Sequence, residues 1–207
     1  MKLTYKKGKG DKIHISIDGE YALTVDEMYF ASLYLKDGQE ISEEDYAALE
    51  ETVNIRRAYN CAVSLLSRRD HSKKELLQKL REKGHSDGAE AAIQKLSDSG
   101  YVDDERFCRL YASELVRLKG YGKRRVEQEL YRKGIERDII CNVLEEISFD
   151  SDALSDIIKR KYLSKMSEEK GRQKAFNALM RLGYSYGEIR DALRNLDEEI
   201  TCEVYDE

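Results

Sequence analysis

Residues 122–147 read GKRRVEQELYRKGIERDIICNVLEEI, and this stretch has two counterparts in the same chain. The counterparts are SKKELLQKLREKGHSDGAEAAIQKL at 72–96 and GRQKAFNALMRLGYSYGEIRDALRNL at 171–196. Aligned on Gly84, Gly134 and Gly183, all three have apolar residues four and eight positions before the glycine and nine after it. A period of about 50 residues with apolar residues at matching offsets is the signature of a repeat architecture.

Each repeat contains three helical runs. The first and longest is predicted at about 56–68, 104–118 and 151–165, and the second ends at the aligned glycine. A glycine just past a helix end favours the left-handed conformation that closes many helices. One repeat is too small to bury its apolar face alone, so we expect neighbouring repeats to stack in an elongated, curved array.

Helix start signals agree with this division. Ser72 with Glu75, and Ser185 with Glu188, match the capping-box spacing, while Asp103 precedes the first helix of the second repeat. A side-chain oxygen at such a position accepts hydrogen bonds from backbone amides that otherwise lack a partner. The pattern therefore predicts helices beginning directly after these residues.

The first 50 residues follow a different pattern. Apolar residues alternate with polar ones on both sides of Asp18-Gly19, which predicts a β-hairpin. Asp26 and Ser42 are candidate N-caps of two following helices. The alternating residues are Ile13, Ile15, Ile17, Tyr21, Leu23 and Val25.

The predicted fold class is mainly α, with three tandem three-helix repeats behind a small N-terminal β-hairpin/α module. The predicted divisions are 1–53 for the acidic module, 54–101 and 102–147 for the first two repeats, and 148–207 for the third repeat and the C-terminal tail.

Composition supports a helical protein of the cytoplasm. None of the 207 residues is proline, the residue that helix interiors tolerate worst. Cys61, Cys108, Cys141 and Cys202 are widely separated, which is typical of reduced thiols, and Cys61 and Cys108 fit apolar packing positions. Neither a signal peptide nor a membrane span is predicted.

The net charge of −5 is unevenly distributed. Residues 1–53 carry 6 basic and 12 acidic side chains, whereas residues 54–147 carry 20 basic and 16 acidic ones. The remaining 60 residues, 148–207, have a net charge of −3. The middle of the chain is therefore the part that favours an anionic partner.

Cations recur where the second helix of each repeat is predicted to begin. They are locally unfavourable there, because a helix N-terminus already carries a partial positive charge. Free backbone amides and basic side chains together form an anion site. The alternatives are a solvated charged face and, for Tyr121, either a partner contact or a turn tyrosine covering a helix end. The candidate partner-binding residues are Arg68, Arg69, Lys73, Lys74, Lys119, Tyr121, Lys123, Arg124, Arg125, Arg132, Lys133, Arg172 and Lys174.

Signals of catalysis or of a cofactor are weak. The glycine-rich 7–12 segment lacks the phosphate-loop spacing, and Gly120-Tyr121-Gly122 lacks the rest of a dinucleotide fingerprint. The three histidines have no metal-ligand spacing, and Asp103-Asp104 is explained by a helix start. We therefore expect a binding protein, with no catalytic residue, metal or cofactor.

Two stretches resemble the RecX family of recombination regulators. The first repeat has S-x-x-E-L-x-x-K-L-x-x-K-G at 72–84, followed by GYVDDERF at 100–107, and the second has G-x-x-R-V-x-x-E-L-x-x-K-G-I at 122–135. The match covers residues 57–147, and the third repeat fits more loosely. IDGEYALTVDE at 17–27 is similar to an extension of Gram-positive members.

The resemblance implies a function. RecX proteins bind the RecA recombinase and its filament on single-stranded DNA, and most restrain its ATPase and strand exchange. It implies that the array lies along the filament groove as a monomer, with the basic corners facing acidic RecA side chains or DNA phosphates. Lys73, Lys74, Lys123, Arg124 and Arg125 are the leading candidates.

Two other function classes stay open at the level of sequence. One is a nucleic-acid-binding helical protein without a RecA target, which predicts DNA binding with a steep salt dependence. The other is a structural scaffold, for which charge reversal at residues 123–125 changes stability only slightly. The sequence does not distinguish inhibition of RecA from stimulation.

Overall fold

The computed structural model describes residues 1–149, 151–165 and 169–205, and the fold in these ranges is mainly helical. This confirms the predicted fold class. The elements are β1 (Leu3–Lys7), β2 (Lys12–Ile17), β3 (Glu20–Asp26), α1 (Glu27–Ser32), α2 (Glu43–Leu66), α3 (Lys73–Glu82), α4 (Ala89–Asp98), α5 (Asp104–Lys119), α6 (Lys123–Arg132), α7 (Arg137–Glu146), α8 (Ser151–Lys161), a 3₁₀ turn (Leu163–Lys165), α9 (Glu169–Leu182) and α10 (Tyr186–Tyr205).

The chain divides into two compact units. The first comprises Met1–Asp70 and Leu76–Val102, and the second comprises His71–Glu75 and Asp103–Glu207. The first therefore holds the N-terminal module and most of the first repeat, while the second holds the other two repeats. The finer four-part division made from the sequence stays a prediction.

The N-terminal module contains the predicted hairpin. Strands β2 and β3 pair antiparallel, and the turn places Asp18 and Gly19 at φ angles of 50° and 89°. Positive φ at both central residues is the requirement that selects Asp-Gly for a tight hairpin. The inward-facing residues of the two strands form an apolar core with Val53 of α2.

Two details of the module differ from the sequence interpretation. A third strand, β1, pairs with β2, and its Leu3 is fully buried, whereas the alternating pattern that predicts the hairpin begins only at Ile13. The β2–β3 register shifts between Ile15 and Ser16, so that Ala22 is an extra residue on β3. This bulge breaks the alternation, and Tyr21 is consequently 66% exposed instead of sharing the buried face.

Helix α2 serves both the module and the first repeat. It begins at the predicted cap, since the Asp45 amide donates to Ser42 Oγ at 3.0 Å. Its Val53 lies in the module core, and Ala58 and Ala62 lie in the core of the first repeat. The predicted helix at about 56–68 is therefore the second half of a 24-residue helix.

Each three-helix repeat has its own hydrophobic core. In every case the first helix packs against the third: α2 against α4, α5 against α7, and α8 against α10. Separate buried clusters fill the three repeats, centred on residues such as Leu80, Leu130 and Leu179. Each repeat thus encloses a buried cluster of its own, while the expectation that one repeat needs its neighbours to bury its apolar face stays a prediction.

The aligned glycines close the second helices as predicted. Gly84, Gly134 and Gly183 have φ angles of 79°, 78° and 96°. Backbone amides after each glycine return to the last helical turn; for example, the Ile135 amide donates to the Leu130 carbonyl. Left-handed φ is the reason that glycine recurs at this offset.

The cysteines are free thiols where their side chains are described. Cys108 is fully buried in the core of the second repeat, and burial raises the pKa of its thiol to about 11. Cys61 packs against the core of the first repeat, so both predicted packing roles are confirmed. Cys141 is exposed, and the Cys202 side chain lies outside the described part.

Replacing Asp103 with alanine is expected to destabilise the second unit by about 1 kcal/mol near neutral pH, because α5 loses its N-cap. Asp103 Oδ1 accepts hydrogen bonds from the Glu105 and Arg106 amides at 2.9 and 3.0 Å. The bond from Arg106, joined by that from Glu105, outweighs burial and holds the carboxyl pKa below its usual 3.8.

Because the folded-state pKa is lowered, this contribution is fully present above 3.8 and is lost as the pH falls through the lowered value. Urea denaturation of both proteins between about pH 7 and pH 2 measures the effect. The stability difference should shrink towards acid pH. A difference that is independent of pH would contradict a role for the ionised carboxylate.

Candidate partner-binding surface

The predicted cations lie at the beginning of two of the three second helices. Lys73 and Lys123 are the first residues of α3 and α6, and both are exposed. In the third repeat α9 begins earlier, at Glu169, so Arg172 and Lys174 lie at its fourth and sixth positions. The prediction that every second helix begins with its cations is therefore wrong for the third repeat.

Three of the predicted cations of the second repeat are available to a partner. Lys119 ends α5, and Lys123 and Arg124 begin α6, with all three side chains exposed. Among the described residues, no ion pair involves any of them. From Arg117 to Arg125 the sequence is RLKGYGKRR, without an acidic residue. Available positive charge is therefore concentrated at the α5–α6 turn.

Arg125 has an internal role. Its guanidinium lies 2.8 Å from Glu129 Oε1, one helical turn later, and 5.6 Å from the centroid of the Tyr121 ring. Tyr121 is half-buried against the core of the second repeat. These contacts favour the interpretation of Tyr121 as a turn tyrosine, and they make Arg125 less available than its two neighbours.

Arg132 and Lys133 are also engaged. Arg132 shares Glu129 with Arg125, at 3.0 Å. Lys133 pairs with Glu75 and lies 5.2 Å from the centroid of the Tyr111 ring. The four cations at positions 124, 125, 132 and 133 therefore differ in how available they are to a partner. Arg124 is the one of the four that has no ion pair among the described residues.

The cations of the first repeat lie on both sides of the loop before α3. Arg68 and Arg69 are exposed just after α2, and an Arg69 Nη1–H donates to the Asp70 carbonyl at 2.8 Å. Lys74 is exposed, and its aliphatic chain lies against Gly134. Its ammonium group can reach a partner while its stem packs on the repeat junction.

Two backbone amides at these helix starts have acceptors within the protein. The Gly122 amide donates to the Leu182 carbonyl at 2.8 Å, and the Lys73 amide donates to Asp104 Oδ1 at 2.8 Å. Burial raises the pKa of Asp104, and the hydrogen bond from Lys73 opposes that shift. These two amides are therefore not available to an anion, whereas the side chains of Lys73 and Lys123 are exposed.

The contact at Gly122 also explains why cations are tolerated there. The carbonyl end of α9 faces the amide end of α6, so the partial negative charge of one helix terminus offsets the partial positive charge of the other. At the start of α3, Ser72 Oγ donates to the Lys133 carbonyl, at the end of α6, at 2.6 Å. Sequence reasoning missed this end-to-end arrangement because its partners are about 60 residues apart.

A buried polar cluster surrounds the contact between Ser72 and the Lys133 carbonyl. His71 is 4% exposed, and its Nδ1 lies 3.5 Å from Glu75 Oε2, while the other Glu75 oxygen pairs with Lys133. Ser72 is fully buried and also accepts a hydrogen bond from the Glu75 amide. The Ser72–Glu75 capping signal was visible in the sequence, but its link to Lys133 was not.

The described residues form neither a membrane span nor a metal site. No helix there is sufficiently long and apolar to cross a membrane. In the same residues, no group of three histidine, cysteine or acidic side chains is placed to hold a metal ion.

The fold and the surface define a protein of tandem three-helix domains. Most of its exposed candidate cations that form no ion pair among the described residues lie where the second helix of a domain begins or the first helix ends. Two family models match these domains: "RecX, first three-helix domain" covers residues 58–104, and "RecX, second three-helix domain" covers residues 103–144.

Full-length relatives agree with the domain matches. A regulatory protein RecX from Caldanaerobacter subterraneus subsp. tengcongensis is 33% identical over 189 residues, covering 91% of this chain and 95% of the relative. A regulatory protein RecX from Bacillus velezensis is 32% identical over 203 residues, covering 96% of this chain and 77% of the relative. The chain therefore belongs to the RecX family, and the resemblance seen in the sequence is confirmed.

Solved structures share the fold. A crystal structure of a regulatory protein RecX superposes with a TM-score of 0.66 at 24% identity, covering 91% of this chain and 97% of the other. The crystal structure of RecX from Lactobacillus salivarius gives a TM-score of 0.61 at 24% identity, covering 70% of this chain and 97% of the other.

Proposed function

We propose that this chain regulates homologous recombination and DNA repair by binding the RecA recombinase and its filament on single-stranded DNA, and that it inhibits RecA ATPase and strand exchange. Family membership supports a regulatory role, since the relatives are named regulatory proteins. The observation that carries the proposal is the location of the available cations. Lys119, Lys123 and Arg124 lie within the matched second three-helix domain.

The cations act through side-chain contacts with an anionic surface. Lys123 and Arg124 are adjacent and exposed at the start of α6. Lys119 ends α5, on the other side of the short turn that joins the two helices. Carboxylates on RecA complement this cluster, and DNA phosphates within the filament are a second set of acceptors. Such charge complementarity speeds association and orients the partner more than it adds affinity.

The rival function is direct nucleic-acid binding without a RecA target. The net charge of −5 opposes it, because the whole molecule repels a polyanion at long range. If only Lys119, Lys123 and Arg124 neutralise phosphates, log affinity for single-stranded DNA should fall with log salt with a slope of about −2. A dedicated DNA-binding protein has more phosphate contacts and a steeper slope.

We expect the protein to sediment with RecA filaments on single-stranded DNA at protein concentrations that leave DNA alone unbound. Fluorescence anisotropy of labelled DNA over a range of salt concentrations measures binding to DNA alone. Co-sedimentation measures binding to the RecA filament. Binding that is equally tight with and without RecA, and steeply dependent on salt, would replace the proposal with the nucleic-acid function.

A further inference from the structure

The exposed face of α5 has an apolar groove that the fold does not use. The side chains of Leu110 and Leu118 are 57% and 63% exposed, although they lie on a helix whose other face is fully packed. They line a depression of about 600 Å³. The other lining residues include Val116, Ile147, Glu114 and Arg117. Apolar side chains that share one depression are typical of an interaction site, in contrast to single scattered ones.

The first repeat shows that Leu110 is not required by the repeat architecture. Its core residues Ala58 and Ala62 stand at the same offsets from the aligned glycine as Cys108 and Ala112 of the second repeat. At the offsets of Leu110 and Leu118, 24 and 16 residues before the glycine, the first repeat has Asn60 and Arg68. Asn60 is exposed on α2, so a polar side chain is compatible with the fold at the offset of Leu110. Arg68 lies beyond the end of α2, so it gives no such comparison for Leu118, which is inside α5.

An exposed ion pair joins the two helices that carry the groove lining. Arg109 of α5 donates from Nε to Glu146 Oε2 of α7 at 2.8 Å, and Glu105 binds the same guanidinium. Leu110 and Ile147 directly follow these two residues in the chain. Because α5 and α7 pack together in the core of the second repeat, the helices that carry the lining are in place before a partner binds, which lowers the cost of binding.

The lining favours a protein over a nucleic acid. The apolar lining residues that the structure describes are aliphatic, whereas single-stranded nucleic acid is bound through aromatic stacking platforms. The groove offers an apolar pocket for a side chain, the kind of anchor point that dominates protein interfaces.

The neighbouring charge sets the chemistry of the partner. Arg117 lines the groove, and Lys119, Lys123 and Arg124 follow within seven residues with exposed side chains. No ion pair among the described residues uses any of these four cations. An apolar pocket beside unpaired cations complements a segment that presents an apolar side chain flanked by carboxylates.

We infer that the α5 groove binds an acidic segment of a RecA protomer that inserts an apolar side chain between Leu110 and Leu118. This inference rests on the proposed function and names the protein-binding part of that surface. The groove supplies the contact that is insensitive to salt, and the cations at the α5–α6 turn supply the contact that is sensitive to salt.

The test compares two surface variants in binding RecA protein without DNA, by biolayer interferometry at about 0.1 M and about 0.5 M salt. Leu110→Gln/Leu118→Gln is expected to weaken binding at least tenfold at both salt concentrations. Lys123→Glu/Arg124→Glu is expected to lose more affinity at the lower salt concentration than at the higher one. Val63→Gln removes a 43% exposed apolar side chain from the first helix of the first repeat and should bind as the wild type does.

Ser113→Trp provides a second, independent variant, because Ser113 lines the groove and a bulky side chain there fills it without removing the leucines. It should weaken RecA binding to the same extent, and the thermal unfolding midpoints of all variants should stay near that of the wild type. Leucine and tryptophan variants that bind RecA as tightly as the wild type would overturn the groove assignment alone.

The remaining outcomes also separate the two claims. A leucine variant that loses affinity for single-stranded DNA as much as for RecA would overturn the assignment of a protein partner. A wild-type protein that binds RecA neither with nor without DNA would overturn the proposed function, and with it the partner inferred for the groove.

Discussion

Replacing Lys123 and Arg124 with glutamate is expected to weaken binding to RecA filaments at least tenfold, which corresponds to about 1.4 kcal/mol. Both side chains are exposed at the start of α6 and have no ion pair among the described residues, so they are available to an anionic partner. Reversal of their charge replaces attraction by repulsion at the same positions. The association rate should fall most, and the loss should diminish as salt is added.

Misfolding is not expected to explain that loss. Acidic side chains in the first turn of a helix stabilise it by about 0.3–1 kcal/mol each when exposed. The nearby Leu182 carbonyl, which accepts from the Gly122 amide, partly cancels that gain. The urea midpoint of the double variant should therefore stay close to that of the wild type.

Lys83→Glu/Lys95→Glu is the matched control. It changes the net charge by the same amount at two exposed lysines of the first repeat that form no ion pair among the described residues. The control should bind filaments nearly as tightly as the wild type. If both variants lose affinity equally, the effect reflects net charge, and the assignment of Lys123 and Arg124 is wrong.

Gly183→Ala is expected to cause the largest loss of stability, about 3 kcal/mol. Gly183 has a φ of 96°, and a Cβ atom there would lie 2.4 Å from the Arg125 backbone nitrogen. Relief of that contact requires movement of the α6 N-terminus away from the end of α9. The hydrogen bond from Gly122 to Leu182 should break as a result.

Two other glycines separate the causes. Gly84 has a φ of 79° with nothing near its would-be Cβ, so Gly84→Ala should cost only the left-handed strain, about 1 kcal/mol. Gly122 has a φ of −75°, which any residue adopts, but a Cβ there would lie 2.7 Å from the Gly183 carbonyl carbon. Gly122→Ala should therefore report the steric contact alone.

Urea denaturation of the three variants measures these free energies. Gly183→Ala should be the least stable, since it combines strain with the backbone collision. Equal losses for Gly84→Ala and Gly183→Ala would show that the junction between α6 and α9 is looser than the structure indicates, and that only the left-handed strain matters.

Local signals predicted much of the fold. The hairpin turn, the caps at Asp26, Ser42 and Asp103, and the glycines that end the second helices each depend on a few adjacent residues. Strand β1 escaped prediction because its pairing partner, not its own lysine-rich composition, makes it a strand. The separate cores of the repeats likewise depend on how three helices pack, which a repeat period does not specify.

The candidate site was only partly predictable for the same reason. The sequence indicated which residues carry positive charge, and the i,i+4 spacing of Arg125 and Glu129 could have marked that arginine as paired. The pair between Lys133 and Glu75 joins residues 58 positions apart, which no local pattern reveals. Leu110 and Leu118 were also hidden, because apolar residues eight apart on a helix normally face a core.

ATP hydrolysis by RecA on single-stranded DNA, followed as this protein is added, measures the proposed regulation directly. We expect inhibition by the wild type at less than one molecule per RecA protomer, and much weaker inhibition by Lys123→Glu/Arg124→Glu. An unchanged rate of hydrolysis, with tight binding of the protein to DNA alone, would contradict the proposed regulation.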